Sequence, residues 1–166
     1  MTTTPTPFTP EAPAATPAAG PRPAPFVIPL PVGLELINSN ESQHRARRAR
    51  IVKAIRGKAQ EVVSECPALM EALAAAKPGP LFQRAHVLGI LHPNTNGRRD
   101  PANWYPSFKA AVDGIVDAGL LDDDDHTRVA GPDMRLGSKV KGGQIVLVVR
   151  GLAPGEDPLG YGAVTW

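Results

Sequence analysis

Apolar residues recur at helical spacing in a proline-free segment from Glu41 to about Glu65. Ile51, Ile55 and Ala59 are four residues apart, which places them on one face of a helix. Residues Asn38–Asn40 precede the segment and have side chains that cap helix N-termini. The pattern therefore predicts a long amphipathic helix that begins near Glu41.

A second helix is predicted after Pro106, a residue that fits the first turn of a helix. Phe108, Val112 and Ile115 then recur at helical spacing and are expected to face the core. Gly119 is the natural end of this helix, because glycine adopts the positive φ of the residue after a helix most easily.

Four extended segments and a short helix complete the pattern. The first extended segment consists of interrupted pieces within Phe26–Ile37 at a sheet edge, and the second is a buried strand at His86–Leu91 without clear alternation. The third is Thr127–Leu136, which is kinked at Gly131-Pro132, and the short helix is Ala68–Ala76. The fourth, Ile145–Val149, is wholly apolar and therefore predicts a strand that is covered on both faces. The main elements alternate as β-α-β-α-β-β. This order predicts an α+β fold, a small mixed sheet with helices packed on it.

The 19 prolines and 16 glycines are not spread evenly, and many of the prolines fall in the first 32 positions. Residues 1–25 are mainly Thr, Pro and Ala, which bury too little apolar surface to fold, so a disordered tail is expected. Residues 26–152 form the predicted domain, and residues 153–166 a flexible C-terminal tail.

The net charge of +2 conceals a strong segregation of basic and acidic residues. The first half of the long helix carries a basic group that is predicted to bind DNA phosphates, with an ordinary solvated face as the alternative. This group comprises His44, Arg45, Arg47, Arg48, Arg50 and Lys53. Acidic residues crowd instead into positions 113–125. Such asymmetry fits a polyanionic partner.

Cys66 is the single cysteine, which excludes an intrachain disulfide and suits a reducing cytoplasm. No apolar run approaches the roughly 20 residues that cross a bilayer, and the N-terminus has no secretion signal, so no membrane partner is expected.

Carboxylates flank the second predicted helix at both ends. Asp100 follows a predicted strand, and four consecutive aspartates, Asp122–Asp125, follow the helix. Carboxylate oxygens suit Mg²⁺, and two such ions about 4 Å apart are a known means of hydrolysing phosphodiesters. The helix separates the two acidic sets by about 20 Å, so they meet only if the loops fold toward each other. The alternative is a solvated acidic turn.

Basic and aromatic residues near these carboxylates complete the candidate chemistry. Lys109 is a candidate cation for the scissile phosphate, or alternatively the partner of Asp113 one helical turn away. Arg98 and Arg99 are candidate DNA-backbone contacts, with loop solubility as the alternative. Trp104 has the chemistry to stack on an unpaired base, although packing against the helix is favoured.

Several of these motifs together resemble the RusA-type endonucleases, the phage-encoded Holliday junction resolvases. The resemblance covers roughly residues 26–150 and rests on Gly97-Arg98-Arg99-Asp100-x-x-Asn103, on Lys109-Ala110-x-x-Asp113-Gly114-x-x-Asp117-Ala118-Gly119, on Leu121–Asp125, on Val140–Gly143, and on Asn38–Asn40 with the basic helix. The spacing of the Asp–Lys–Asp run is its most specific part.

The resemblance implies a homodimer that resolves four-way DNA junctions by paired nicks in recombination and repair. It implies Mg²⁺, with Mn²⁺ as a substitute, and a phage or prophage origin with action in the bacterial cytoplasm. By position, Asp100, Lys109 and Asp124 would be catalytic, with Asp123 or Asp125 in place of Asp124 if the register slips by one. The expected metal ligands are Asp100, Asp113, Asp123, Asp124 and Asp125, and the expected DNA contacts add Arg98, Arg99 and Asn103 to the basic helix.

One departure concerns the second aspartate of the family motif, which is Ala102 here. Asp113 or Asn103 would have to replace it as a ligand. The alternative interpretation is a non-catalytic module of the same fold that binds branched DNA.

Overall fold

The computed structural model describes residues 24–42 and 44–159. The elements are β1 (Phe26–Pro29), α1 (Arg45–Glu65), α2 (Pro67–Ala76), β2 (Ala85–His92), a 3₁₀ turn (Pro101–Trp104), α3 (Tyr105–Asp117), β3 (Val129–Leu136) and β4 (Gln144–Gly151). The α+β class and the predicted order of the main elements are confirmed.

The four strands form one mixed sheet in the order β1-β4-β2-β3. β4 pairs antiparallel with both β1 and β2, whereas β2 and β3 run parallel. A parallel pair needs a crossover, and here α3 provides it. The register between β2 and β3 shifts opposite Gly131-Pro132, where the sequence predicts a kink. The crossover from β2 through α3 to β3 contains most of the predicted site residues.

One face of the sheet packs against the helices and forms the core. Ile28, Val87 and Leu147 on this face are fully buried, together with Ile55 of α1 and Phe108 of α3. Burial alternates along β2, where the sequence shows no clear alternation, because only one face of β2 meets the helices.

β4 is less covered than its apolar sequence predicts. Ile145, Leu147 and Val149 are buried toward the helices, but Val148 on the opposite face is only half-buried. Because Val148 faces away from α1 and α3, the prediction that both faces of β4 are covered is only partly correct.

α1 begins later than predicted, at Arg45 rather than near Glu41. The backbone N–H of Glu41 donates to the carbonyl oxygen of Asn38 (3.1 Å), which closes a turn before the helix. The capping group is therefore His44, whose Nδ1 accepts from the N–H of Ala46 at 3.3 Å.

Glu156, which follows the predicted domain boundary at residue 152, contacts two arginines. Glu156 accepts from Arg150 Nη1 through its side chain (2.6 Å) and from Arg84 Nη1 through its backbone carbonyl (2.7 Å). These bonds join Glu156 to Arg150 in β4 and to Arg84 just before β2, and the flexible tail at residues 153–166 stays a prediction. The predicted tail at residues 1–25 lies almost wholly outside the described residues.

α1 and α3 cross at Gly114, where their backbones approach closely. A Cβ at this position would clash with the carbonyl oxygen of Arg56 and lie 2.7 Å from the Cβ of Ala59. Beside this crossing, Arg56 binds Asp117 through two hydrogen bonds, at 2.5 Å from Nε and 2.7 Å from Nη2. The crossing holds α3 in a fixed position relative to the basic helix.

The Arg56–Asp117 pair makes stability depend on pH. The hydrogen bond from Arg56 lowers the pKa of Asp117 below its usual value. A lowered carboxyl pKa stabilises the fold above the unfolded pKa of about 3.9, and this contribution is lost as pH falls through the folded value. Asp117→Asn is therefore expected to lower the urea midpoint at about pH 7 and to lower it by less at about pH 2.

Glu61→Gln is the matched control, because it removes an exposed pair within α1, between Glu61 and Lys58 (2.6 Å). We expect a smaller change in the urea midpoint from this control. An equal decrease of the urea midpoint for Asp117→Asn at both pH values would contradict the assignment of the pH dependence to the Arg56–Asp117 pair.

Candidate functional site

The loop after α3 turns back along the helix. Gly119 has a φ of +90° and ends the helix, as predicted. Backbone bonds from Leu81 to the carbonyl oxygen of Gly119 (3.1 Å) and from Phe82 to that of Leu120 (2.8 Å) hold the turn, and Leu120 and Leu121 are buried. These contacts direct the acidic loop alongside α3 instead of away from it.

Lys109 lies between two carboxylates as a result. Its Nζ is 2.5 Å from Oδ1 of Asp113, one helical turn away, and also contacts Oδ2 of Asp124 from the loop. The side chains of Lys109, Asp113 and Asp124 are 41%, 23% and 25% exposed. Each of the two carboxylates thus directs one oxygen at the ammonium group of Lys109, and all three side chains are partly buried. We call these three residues the lysine–aspartate cluster.

The loop reaches well back along the helix to make this contact. Lys109 is eight residues before Asp117, the last residue of α3, which corresponds to about 12 Å along the axis. This contact joins the acidic run to Lys109 in α3, but it does not bring the run to Asp100, so the predicted meeting of the two acidic sets stays a prediction.

The other aspartates of the loop have different contacts. Oδ1 of Asp123 accepts from the N–H of Asp124 (2.7 Å), and Oδ1 of Asp125 accepts from that of Thr127 (2.6 Å). Hydrogen bonds from the Thr127 side chain and backbone lower the pKa of Asp125 below its usual value. Asp122 is 3.7 Å from Nη2 of Arg128. Of the four alternatives, Asp124 is the one in contact with Lys109.

Asp100 begins the 3₁₀ turn before α3. Its Oδ1 accepts from the backbone N–H of Ala102 at 3.0 Å, so the carboxylate caps this turn. In the same turn, the carbonyl oxygen of Asn103 accepts from the N–H of Ser39 at 2.7 Å. The structure therefore brings the segment Asn38–Asn40 to the start of α3, next to the motif that contains Asp100.

The expected metal ligands are not gathered into one group. Within residues 24–42 and 44–159, no three His, Cys, Asp or Glu side chains are close enough to form a metal site. Asp113 and Asp124 nevertheless converge on one cation, the Lys109 ammonium. One or two carboxylates, completed by water and substrate phosphate, are the usual protein ligands of Mg²⁺. In this structure the Lys109 ammonium occupies the position between the two carboxylates, so a Mg²⁺ ion held by the pair would have to replace it.

The basic residues of α1 form an exposed strip. Arg45, Arg48, Lys53 and Arg56 line an open cleft of about 440 Å³, while Arg47 binds Glu35 at 2.5 Å. Arg50 is also exposed on this helix. Arg56 lines the same cleft, but its Nε and Nη2 donate to Asp117. The strip offers phosphates several cations within about three turns.

Arg98 and Arg99 differ in their surroundings, which the sequence does not reveal. Arg98 is exposed, whereas Arg99 is half-buried with its Cζ 5.8 Å from the ring centroid of Trp104. Trp104 is half-buried and packs against the hydrophobic core.

No protein-family model and no curated protein matches the chain. Among the described helices, none is both long enough and apolar enough to cross a membrane.

Proposed function

We propose that this protein is a metal-dependent endonuclease that nicks branched DNA, with four-way junctions as its substrate, in recombination and repair. The observation that carries the proposal is the lysine–aspartate cluster. It joins the two parts of the RusA-like motif, the lysine of α3 and the acidic loop, although they are 15 residues apart in the chain.

In this proposal Asp113 and Asp124 hold Mg²⁺ or Mn²⁺, and Asp113 replaces the carboxylate that is missing at Ala102. When bound, the metal supplies positive charge for the phosphate and lowers the pKa of a bound water. The Lys109 ammonium pairs with a non-bridging oxygen of the scissile phosphate and stabilises the charge that develops there. Asp100 caps the 3₁₀ turn and so orients the start of α3, which carries Lys109.

The basic strip on α1 binds the DNA backbone next to this cluster. α1 and α3 are locked together at Gly114 and by the Arg56–Asp117 pair, so the strip and the cluster keep a constant spacing. A homodimer with two-fold symmetry would present two such sites to the two strands of a junction that are nicked together.

The test is a Mg²⁺ titration with a labelled four-way junction, beside duplex and flap DNA of the same sequence. We expect paired nicks in the junction, no product without metal, and weaker cleavage of the duplex. Affinity for the junction should fall steeply with salt, because phosphate contacts release counterions. A junction that is bound at saturation but stays intact in both Mg²⁺ and Mn²⁺ would contradict the nuclease.

A second candidate is a junction-binding module that does not cut. It is favoured by Ala102 and by the lack, within the described part of the chain, of a three-carboxylate group. Ala102→Asp distinguishes the two candidates: cleavage that appears only in this variant would assign the natural protein to binding, and cleavage by both would support the nuclease.

A further inference from the structure

The helices cover one face of the sheet, and the opposite face, which we call the outer face, is largely apolar. Val27, Leu88 and Val148 lie on the outer face, since the neighbouring residues of each strand are buried toward α1 and α3. Val27 is 58% exposed, and Leu88 and Val148 are half-buried. Contiguous apolar patches on a protein surface mark sites of contact with another molecule.

The strand register aligns these three residues in one row across the sheet. Val27 is the register partner of Val148, and Val148 is the partner of Leu88. On β3 the row ends at Asp133, which is the partner of Leu88. The side chain of Asp133 is 45% exposed, and its Oδ2 lies 2.7 Å from Nε2 of His86. The row therefore consists of three apolar side chains and a carboxylate at the β3 edge.

A second row lies two residues away along each strand. Pro29 is the register partner of Val146, and Val146 is the partner of Ile90. This row ends on β3 at Arg135, the partner of Ile90, which is exposed. The two rows thus share one composition, three apolar residues and one charged residue, but their charges have opposite sign.

Two copies of the outer face are complementary to each other under a two-fold rotation. The axis lies between the two sheets, perpendicular to the strands, at the level of Leu147. This rotation places each strand opposite its own copy and exchanges the two rows, so apolar residues lie on apolar residues. Asp133 of each copy then faces Arg135 of the other, and symmetry repeats the contact. Sheets that pack face to face are about 10 Å apart, which these two side chains together can span.

The edges of the sheet are less suited to a second copy. β1 has four residues and ends at Pro29. β3 contains Pro132, which has no N–H to donate, and its register with β2 shifts between His86 and Leu88. Prolines and irregular pairing on edge strands oppose the addition of another strand. The outer face is therefore favoured over either edge.

We propose that the outer face is the interface between two copies of this chain, with two Asp133–Arg135 pairs at its β3 edge. The inference rests on the proposed function for the role of the dimer, which is to hold two lysine–aspartate clusters on one junction. The surface itself follows from the strand register and the charges at the ends of the two rows.

This arrangement places both lysine–aspartate clusters on the same side of the dimer. α1 contacts β1 and α3 contacts β3, so α3 lies toward the β3 edge. Gly114 faces α1, and Lys109 is about 140° around the helix from it, so Lys109 lies on the side of α3 away from α1. Because the two-fold axis points toward the β3 edge, a single junction at that edge can contact both clusters.

Sedimentation of the full chain over a range of concentrations is the first test. We expect a dimer that becomes a monomer in Leu88→Glu, because the interface would then bury carboxylates against apolar side chains without a partner. Met70→Glu is the matched control, since Met70 is 44% exposed on α2, and this variant should remain a dimer. A natural protein that is monomeric at all concentrations, or a dimer that Leu88→Glu leaves intact, would overturn the proposal.

A charge reversal tests the arrangement of the two copies with substitutions at the exposed edge of the sheet. Asp133→Arg and Arg135→Asp each place like charges opposite one another at both symmetric contacts, and each should weaken the dimer about tenfold or more. The double variant exchanges the two charges and should restore the dimer. Single variants that dimerise as tightly as the natural protein, or a double variant without restored affinity, would overturn the two-fold arrangement.

Junction nicking by the same proteins separates this inference from the proposed nuclease. A dimer that responds to both sets of substitutions but leaves junctions intact in Mg²⁺ would support the interface and reject the cleavage. Normal nicking by a protein whose dimer is unaffected by these substitutions would reject the interface alone.

Discussion

Asp124→Asn and Lys109→Ala are each expected to lower the rate of Mg²⁺-dependent junction nicking by about a hundredfold or more. The asparagine keeps the shape of Asp124 but removes the charge that faces Lys109 and the proposed metal. The alanine removes the cation expected at the phosphate. Single-turnover nicking with saturating protein measures the effect, because it separates the chemical step from DNA binding.

Asp122→Asn is the matched control for this prediction. Asp122 belongs to the same acidic run but is exposed and lies 3.7 Å from Arg128, away from Lys109. The Asp122→Asn variant should nick the junction at nearly the rate of the natural protein. Asp113→Asn should resemble Asp124→Asn, and the double variant should lose little more than either, since the two carboxylates act together. Nicking that persists in both Asp124→Asn and Lys109→Ala would exclude the cluster as the active site.

Gly114→Ala is expected to destabilise the fold by about 1–3 kcal/mol or more. The added methyl group would clash with the backbone of α1 at Arg56 and with the Cβ of Ala59, so the two helices would have to separate. Backbone atoms cannot rotate aside as a flexible side chain can. Urea unfolding followed by circular dichroism measures the loss.

Gly57→Ala in α1 provides a control of opposite sign. Among the described residues no atom outside the helix's own backbone lies within 4 Å of a Cβ built at Gly57. Alanine in a helix interior is favoured over glycine by roughly 0.5–1 kcal/mol, so this variant should be more stable than the natural protein. If both variants are equally stable, the close approach of α1 and α3 at Gly114 is not the reason for that glycine.

The helices and strands were largely predictable because their signals are local. The spacing of Phe108, Val112 and Ile115 marks the buried face of α3, and the positive φ of Gly119 ends it. The start of α1 was not predictable from its cap signal. Asn38 forms its own turn with Asn40 and Glu41, and the N–H of Ser39 donates there to Asn103 in the 3₁₀ turn before α3.

The candidate site shows the same difference between features that local sequence signals predict and features that depend on distant contacts. The sequence identifies Lys109, Asp113 and the acidic run, and the pair of Lys109 with Asp113 follows from helical spacing alone. It leaves open which of four adjacent aspartates faces the lysine, since neighbouring positions have the same chemistry. Arg99 shows a similar limit, because nothing local indicates that it is half-buried over Trp104 while Arg98 is exposed.

By itself, the sequence determined the α+β class, the order of the main elements and the residue types of the site, because helix and strand periodicity and charge are properties of short segments. Only the tertiary structure decided the strand order, the return of Asp124 to Lys109 and the two rows of the outer face. These features depend on contacts between distant segments, such as Leu81 with Gly119 and Ser39 with Asn103, which buried surface and backbone hydrogen bonds select.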